Sequence, residues 1–296
     1  MHGWVLSGGG NYGAMQVGAL EVLLAEGSKP ELVVGNSAGA LNAIQLSADP
    51  TMHGAASMAE VWRRVGPEHV GSISLLGGLQ RLVLQRESLF PSHPLARFLL
   101  ESFPGGIQTF GELQKLHGIP TYTLAASLDE DTRRVFGDDP DDKLLDGAMA
   151  SAALPPYFAP WRVDGHFYVD GGVYANLPLR VAVERGATEL TVLWVKTGIH
   201  AHPPDTGMIR VTSAAFTMMV RNLSALELDW ARSRGVPIRL IELTPPEDVD
   251  FWDFSQADRL MAHGRQTAEM VLSKSKEAAE DRWWGRLVRS WFAAGS

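Results

Sequence analysis

Residues 34–40 read Val34-Gly35-Asn36-Ser37-Ala38-Gly39-Ala40 and follow the apolar pair Leu32-Val33. G-x-S-x-G at the end of an apolar strand is the pattern of a nucleophile elbow, a sharp strand-to-helix turn that holds a serine outward. Gly35 and Gly39 suit such a turn, because bulkier side chains would clash within it. The motif is short and the chain has 30 glycines, so a turn without chemistry is the competing reading.

Working outward, Trp4-Val5-Leu6 is a second short apolar strand, ended by Ser7-Gly8-Gly9-Gly10. Apolar positions over 14–24 predict a buried helix closed by Gly27, and the small residues of 38–46 a second helix. Strands alternating with helices predict a mostly parallel sheet with right-handed crossovers. Further strands are expected at 119–127, 133–136, 167–169, 190–195 and 238–243, and helices at 181–185, 209–232 and 257–272. Residues 50–118 read as helical and looped, with Pro91, Pro94 and Pro104 as breakers. Within them the apolar run Leu75 to Leu84 suits either a core helix or a cap over a site. No repeat or linker interrupts the chain, which reads as one catalytic-sized domain over 1–275 and a distinct tail over 276–296.

The totals exclude several functions. The chain has no cysteine, which rules out disulfides, thiolate metal sites and a thiol nucleophile. A net charge of −8 argues against non-specific nucleic-acid binding. The acidic run Asp138 to Asp142 reads as a solvated loop in preference to a cation site. Met1-His2-Gly3 leads straight into a strand with no signal-peptide pattern, and no apolar run is long enough to span a bilayer. The expected location is cytoplasmic, free or peripheral to a membrane.

Gly8-Gly9-Gly10-Asn11-Tyr12-Gly13 satisfies G-x-G-x-x-G, which invites a dinucleotide-binding reading. That reading needs an acid at the end of the second strand, where Gly35-Asn36-Ser37 stands; Glu31 opens that strand instead. The alternative is that glycine N–H groups at a helix start converge on developing negative charge, as in an oxyanion hole. If the strands ending at Leu6 and Val34 are neighbours, the glycines and Ser37 emerge at one edge. A serine also needs a base. None of the nine histidines sits in a recognisable motif, whereas Tyr168-Val169-Asp170-Gly171-Gly172 delivers an aspartate to a glycine turn. A purely structural Asp-Gly turn is the plainer reading of the same stretch.

Together S-G-G-G-N-Y-G-A (7–14), G-N-S-A-G (35–39) and Y-V-D-G-G-V-Y-A-N-L-P (168–178) resemble, in order, the three signatures of the patatin-like phospholipases. A-S-A-A-L-P-P-Y-F-A-P (150–160) resembles the segment preceding that aspartate, and F-S-Q-A-D-R-L-M-A-H-G-R (254–265) the closing helix. The resemblance spans residues 3 to 272. It implies a patatin-like three-layer α/β/α sandwich and a serine acyl hydrolase that needs no metal or cofactor. It also implies a Ser37–Asp170 dyad, with the amides of Gly8, Gly9 and Gly10 as the oxyanion hole. Gly13 would open the helix, Gly35 and Gly39 would shape the elbow, and Gly171 and Gly172 would form the turn after the base. Desolvation is expected to raise the basicity of Asp170. The substrate would be a lipid or another ester; the alternative is an idle lipid- or protein-binding module on the same fold. One departure is Tyr12, where the family usually has Arg or Lys, and it bears on recognition of an anionic head group.

In the tail, Trp283, Leu287 and Trp291 form one helical stripe and Trp284, Val288 and Phe292 the next, with Arg282, Arg286 and Arg289 mostly away from them. Such a helix suits a membrane interface; packing on the domain or on a second subunit is the plainer reading of the same stripe. Gly285 weakens it.

Overall fold

In the computed structural model, residues 1–71, 88–196 and 208–293 are described, except for the side chains of 208–210, 213 and 277–293. Five parallel strands form the centre: β1 (His2–Leu6), β2 (Leu32–Asn36), β3 (Thr121–Ser127), β7 (Glu189–Val195) and β8 (Ile238–Leu243). Three antiparallel strands complete the sheet: β4 (Thr132–Phe136), β5 (Trp161–Val163) and β6 (His166–Asp170). The order is β5-β6-β3-β2-β1-β7-β8, with β4 on β3. The mostly parallel sheet expected from the alternating pattern is therefore present. β5, three residues long, is too short to show a period in sequence.

Because both faces are covered, the central strands are apolar without alternation. Trp4, Leu6, Val33, Leu193 and Val195 face one layer, which holds α1 (Ala14–Ala25), α3 (Met52–Arg64) and α11 (Ala257–Ala293). Val5, Leu32, Val34 and Val192 face the other, with α9 (Leu179–Glu184) and α10 (Met208–Ser233). The result is a three-layer α/β/α sandwich. A further apolar cluster joins α2 (Ala38–Ala48), α5 (His93–Ser102), α6 (Phe110–His117) and α7 (Leu144–Ser151) through Ile44, Phe98, Leu113 and Met149.

Two helix glycines set the approach of α1 to α11. A Cβ on Gly18 would lie 1.9 Å from the carbonyl oxygen of Met261, and one on Gly264 would lie 1.9 Å from that of Met15. The backbones touch there, which neither glycine signals in sequence. The last helix also runs on to Ala293, past the expected stop at 272, so the tail is a backbone extension of α11. The side chains of Trp283, Trp284, Trp291 and Phe292 lie outside the described residues, as do the cap reading of Leu75 to Leu84 and the loop histidines His200 and His202. Among the described residues no helix is long and apolar enough to cross a membrane.

Glu31 accepts from the backbone N–H of His2 (2.6 Å), at the opposite end of the strands from the glycine loop. In the acidic run, Asp138 pairs with Arg185 at 2.7 Å and Asp142 with Arg134 at 2.6 Å. Among the described residues no cluster of ligands suits a metal ion.

Candidate active site

The register of β3 brings the site together. β2 and β4 both pair with Thr123 and Leu124, so they lie on opposite edges of β3; β4 and β6 both pair with 125–127, so they too are on opposite edges. β2 and β6 therefore share one edge, end to end. Asn36 lies opposite Leu124 and Asp170 opposite Ala125, two consecutive residues. Ser37, next after Asn36, meets Asp170 at the seam.

Ser37 has φ 52° and ψ −125°, a conformation that costs a side-chain-bearing residue of order 1–3 kcal/mol. What holds it is tight packing around the elbow: a Cβ on Gly35 would fall 2.2 Å from the carbonyl oxygen of Gly39, and one on Gly39 2.3 Å from that of Leu6. The Ser37 N–H donates to Ser151 Oγ on α7 at 2.9 Å. Gly13, where the 3₁₀ turn Gly10–Gly13 meets α1, backs the elbow against Ala38.

Asp170 is buried, 3% exposed, at the end of β6. Its Oδ1 accepts from the Gly172 N–H at 2.8 Å and from Asn36 Nδ2 at 3.1 Å. Gly171 and Gly172 form the turn into α8 (Gly172–Ala175) that supplies this N–H. Burial pushes the Asp170 carboxyl above the usual carboxylate range, opposed by hydrogen bonds from Gly172, the Ser37 hydroxyl and Asn36. All three donors are neutral. Among the described residues no histidine bonds to Ser37 or Asp170; His2, His117 and His263, for instance, bond to Thr191, Ala48 and Thr244.

β1 and β2 are neighbours, with Leu6 opposite Gly35, so the glycine loop does emerge beside Ser37. The three glycine amides are not equivalent. The Gly8 N–H donates to the carbonyl oxygen of Asn176 at 3.2 Å, and Asn176 Nδ2 donates back to Gly8 O at 3.3 Å. Those of Gly9 and Gly10 have no hydrogen-bond partner among the described residues. Asn36 Nδ2 also donates to Asn176 Oδ1 at 3.2 Å, linking the loop to Asp170. Asn36, Asn176 and Ser151 are thus site residues that the sequence reading did not single out, although all three lie inside the motifs quoted above.

Tyr12 does not face the site. Its buried hydroxyl donates to Val249 O at 2.7 Å, and burial with the nearby Asp250 pushes its pKa up to about 12. Asn11 Nδ2 donates to the carbonyl oxygens of Asp250 (2.8 Å) and Asp253 (2.9 Å). These bonds hold the segment 249–254 over the loop, with the Phe251 ring against Gly10. Tyr12 therefore braces a wall of the site and does not present a group to a substrate's charge.

Ser37 opens on a cleft with walls that include Leu41, Val61, Phe98, Leu154 and Trp252. Such a lining accepts a hydrocarbon chain and offers little to a polar one.

Known proteins with similar sequences and folds point to one family. Residues 4–183 match the family described as patatin-like phospholipase. A cGAMP-activated phospholipase of Vibrio cholerae is 31% identical over 158 residues, 50% of this chain and 43% of that one. An NTE family protein of Mycobacterium tuberculosis is 37% identical over 91 residues, 30% of this chain and 25% of that one. The matched segments thus span less than half the length of these relatives. Human GIVD cytosolic phospholipase A2, solved with methyl gamma-linolenyl fluorophosphonate, shares the fold at TM-score 0.50 and 12% identity, covering 94% of this chain and 59% of that one. With the family match extending over more than half of its residues, the chain belongs to the patatin-like phospholipases.

Proposed function

We propose that the protein is a lipid acyl hydrolase that cleaves carboxylic esters through an acyl-enzyme on Ser37. The observation that carries this reading is a strained serine beside the buried carboxyl of Asp170, at the mouth of an apolar cleft. Asp170 accepts the Ser37 proton as Oγ attacks the ester carbonyl. The tetrahedral oxyanion is stabilised by the N–H groups of Gly9 and Gly10, which belong to the loop that emerges beside Ser37 and have no hydrogen-bond partner among the described residues. Collapse expels the alcohol, which leaves with the proton held by Asp170. A water molecule then gives its proton to Asp170, attacks the acyl carbon, and the fatty acid departs as Ser37 recovers its hydrogen. Family membership and the cleft lining both support a lipid ester as the substrate.

A fluorophosphonate probe followed by peptide mapping tests the nucleophile. Wild type is expected to be labelled at Ser37, and Ser37→Ala to remain unlabelled. Folded wild type that resists the probe would sink the proposal. The loop is tested by Gly8→Ala, whose Cβ would sit 2.3 Å from Asn176 Oδ1 and 2.9 Å from Ser37 Cβ. Displacing the adjacent donors is expected to lower kcat on an ester by about a hundredfold, the scale of one lost oxyanion donor. An unchanged kcat would show that the Gly8–Asn176 pair does not set their position.

A further inference from the structure

The cleft has one feature that a uniform hydrocarbon channel would lack. Ser37, Leu41 and Gln45 succeed one another at four-residue intervals along one face of α2, and all three line it. Gln45 is half-buried, and its side-chain amide has no hydrogen-bond partner among the described residues. The same walls carry Val61 of α3, Val65 just after that helix, and Leu95 and Leu99 of α5. Apart from two tryptophan indoles, Ser37 and Gln45 are the polar side chains on these walls. The indole N–H of Trp62 is already bonded to Asn42 at 2.8 Å.

Eight residues of helix separate Ser37 from Gln45, about 12 Å along the axis. A saturated chain esterified at Ser37 and short enough to stop before Gln45 contacts only apolar groups. A longer one strips water from the Gln45 amide and gives it no partner in return, which is the costly way to bury a polar group.

We propose that Gln45 sets the acyl-chain limit of the site and selects medium-chain esters over long-chain ones. This rests on the hydrolase reading above. The test is kcat/KM over a series of p-nitrophenyl esters from butyrate to palmitate, for wild type and Gln45→Leu. A parallel labelling of Ser37 by a small fluorophosphonate reports the chemistry separately. Wild type is expected to peak at medium chains and to fall by about tenfold or more at palmitate, as an unpaired buried amide requires. Gln45→Leu is expected to recover palmitate turnover while butyrate turnover and labelling rate stay at the wild-type level. A wild-type profile that does not fall toward palmitate, or the same palmitate-to-butyrate ratio in both proteins, overturns the assignment. Failure of wild type to label overturns the hydrolase reading and this inference with it. If Gln45→Leu does not fold, as judged by its melting transition, Gln45→Met carries the same comparison.

Discussion

Asp170→Asn should reduce ester turnover by about a thousandfold, within the range typical of a lost general base, while the protein folds and melts at a higher temperature than the parent. The amide oxygen of the variant can still accept from the Gly172 N–H and from Asn36 Nδ2, so the seam between β2 and β6 keeps its hydrogen bonds. What disappears is the acceptor for the Ser37 proton, replaced by an N–H₂ that donates. The rise in stability follows from the sign of the pKa shift. Burial raises the folded-state pKa of Asp170, so the folded chain binds this proton more tightly than the unfolded chain. Stability from this group is therefore full at low pH and lost as pH rises through the unfolded and then the folded pKa. Wherever Asp170 is ionised, the wild type carries a buried charge that the variant lacks, a trade of stability for activity. The same shift sets the pH profile. Asp170 acts as a base only when deprotonated, so kcat/KM should rise with pH along a limb lying above the usual carboxylate range. That limb should be absent from the residual activity of Asp170→Asn. Near-normal turnover in the variant, with or without the limb, would remove Asp170 from the mechanism.

Gly264→Ala should cost the fold about 1–3 kcal/mol or more, the usual scale of overpacking, from the addition of a single methyl group. Its Cβ meets the carbonyl of Met15, and backbone cannot rotate aside as a side chain can. α1 and α11 must separate, and Leu20, Leu23, Leu260 and Ala268, which are fully buried, would lose contacts as they do. Gly105→Ala is the matched control, since nothing lies within 4 Å of its new Cβ. Urea titrations of both variants against wild type measure the difference. Equal midpoints would mean that the helices have room to spare at this crossing.

The parts of the site that are legible in the sequence are those made by neighbouring residues. The elbow of Ser37 depends on Gly35 and Gly39, and the turn after Asp170 on Gly171 and Gly172; each is contained in a pentapeptide. The apolar runs of β1, β2 and β7 likewise announce strands buried on both faces. What stays hidden is made by register. Asn36 and Asp170 are 134 positions apart, and only the end-to-end sharing of one edge of β3 makes them partners. The pairing of Asn176 with Gly8 and the support of Ser37 by Ser151 are likewise contacts between residues far apart in the chain. Tyr12 shows a further limit: its place in the glycine motif suggests a role toward substrate, but the direction of its side chain is set by where Val249 ends up. Gly18 and Gly264 read as weak points in helices, because close approach of two backbones leaves no local signature.

The neutrality of the groups around Asp170 has a consequence for how the proposed chemistry fits beside an apolar cleft. When a carboxylate takes the serine proton, its own charge vanishes as the oxyanion's appears. One negative charge moves a short way across the cleft and later moves back, and no ion pair is ever pulled apart. Shifting an existing charge in a low-dielectric medium is far less demanding than creating two opposite ones. A site that only relocates charge can sit directly against a hydrocarbon-lined cavity, and so the reacting carbonyl and its apolar chain can share one enclosure.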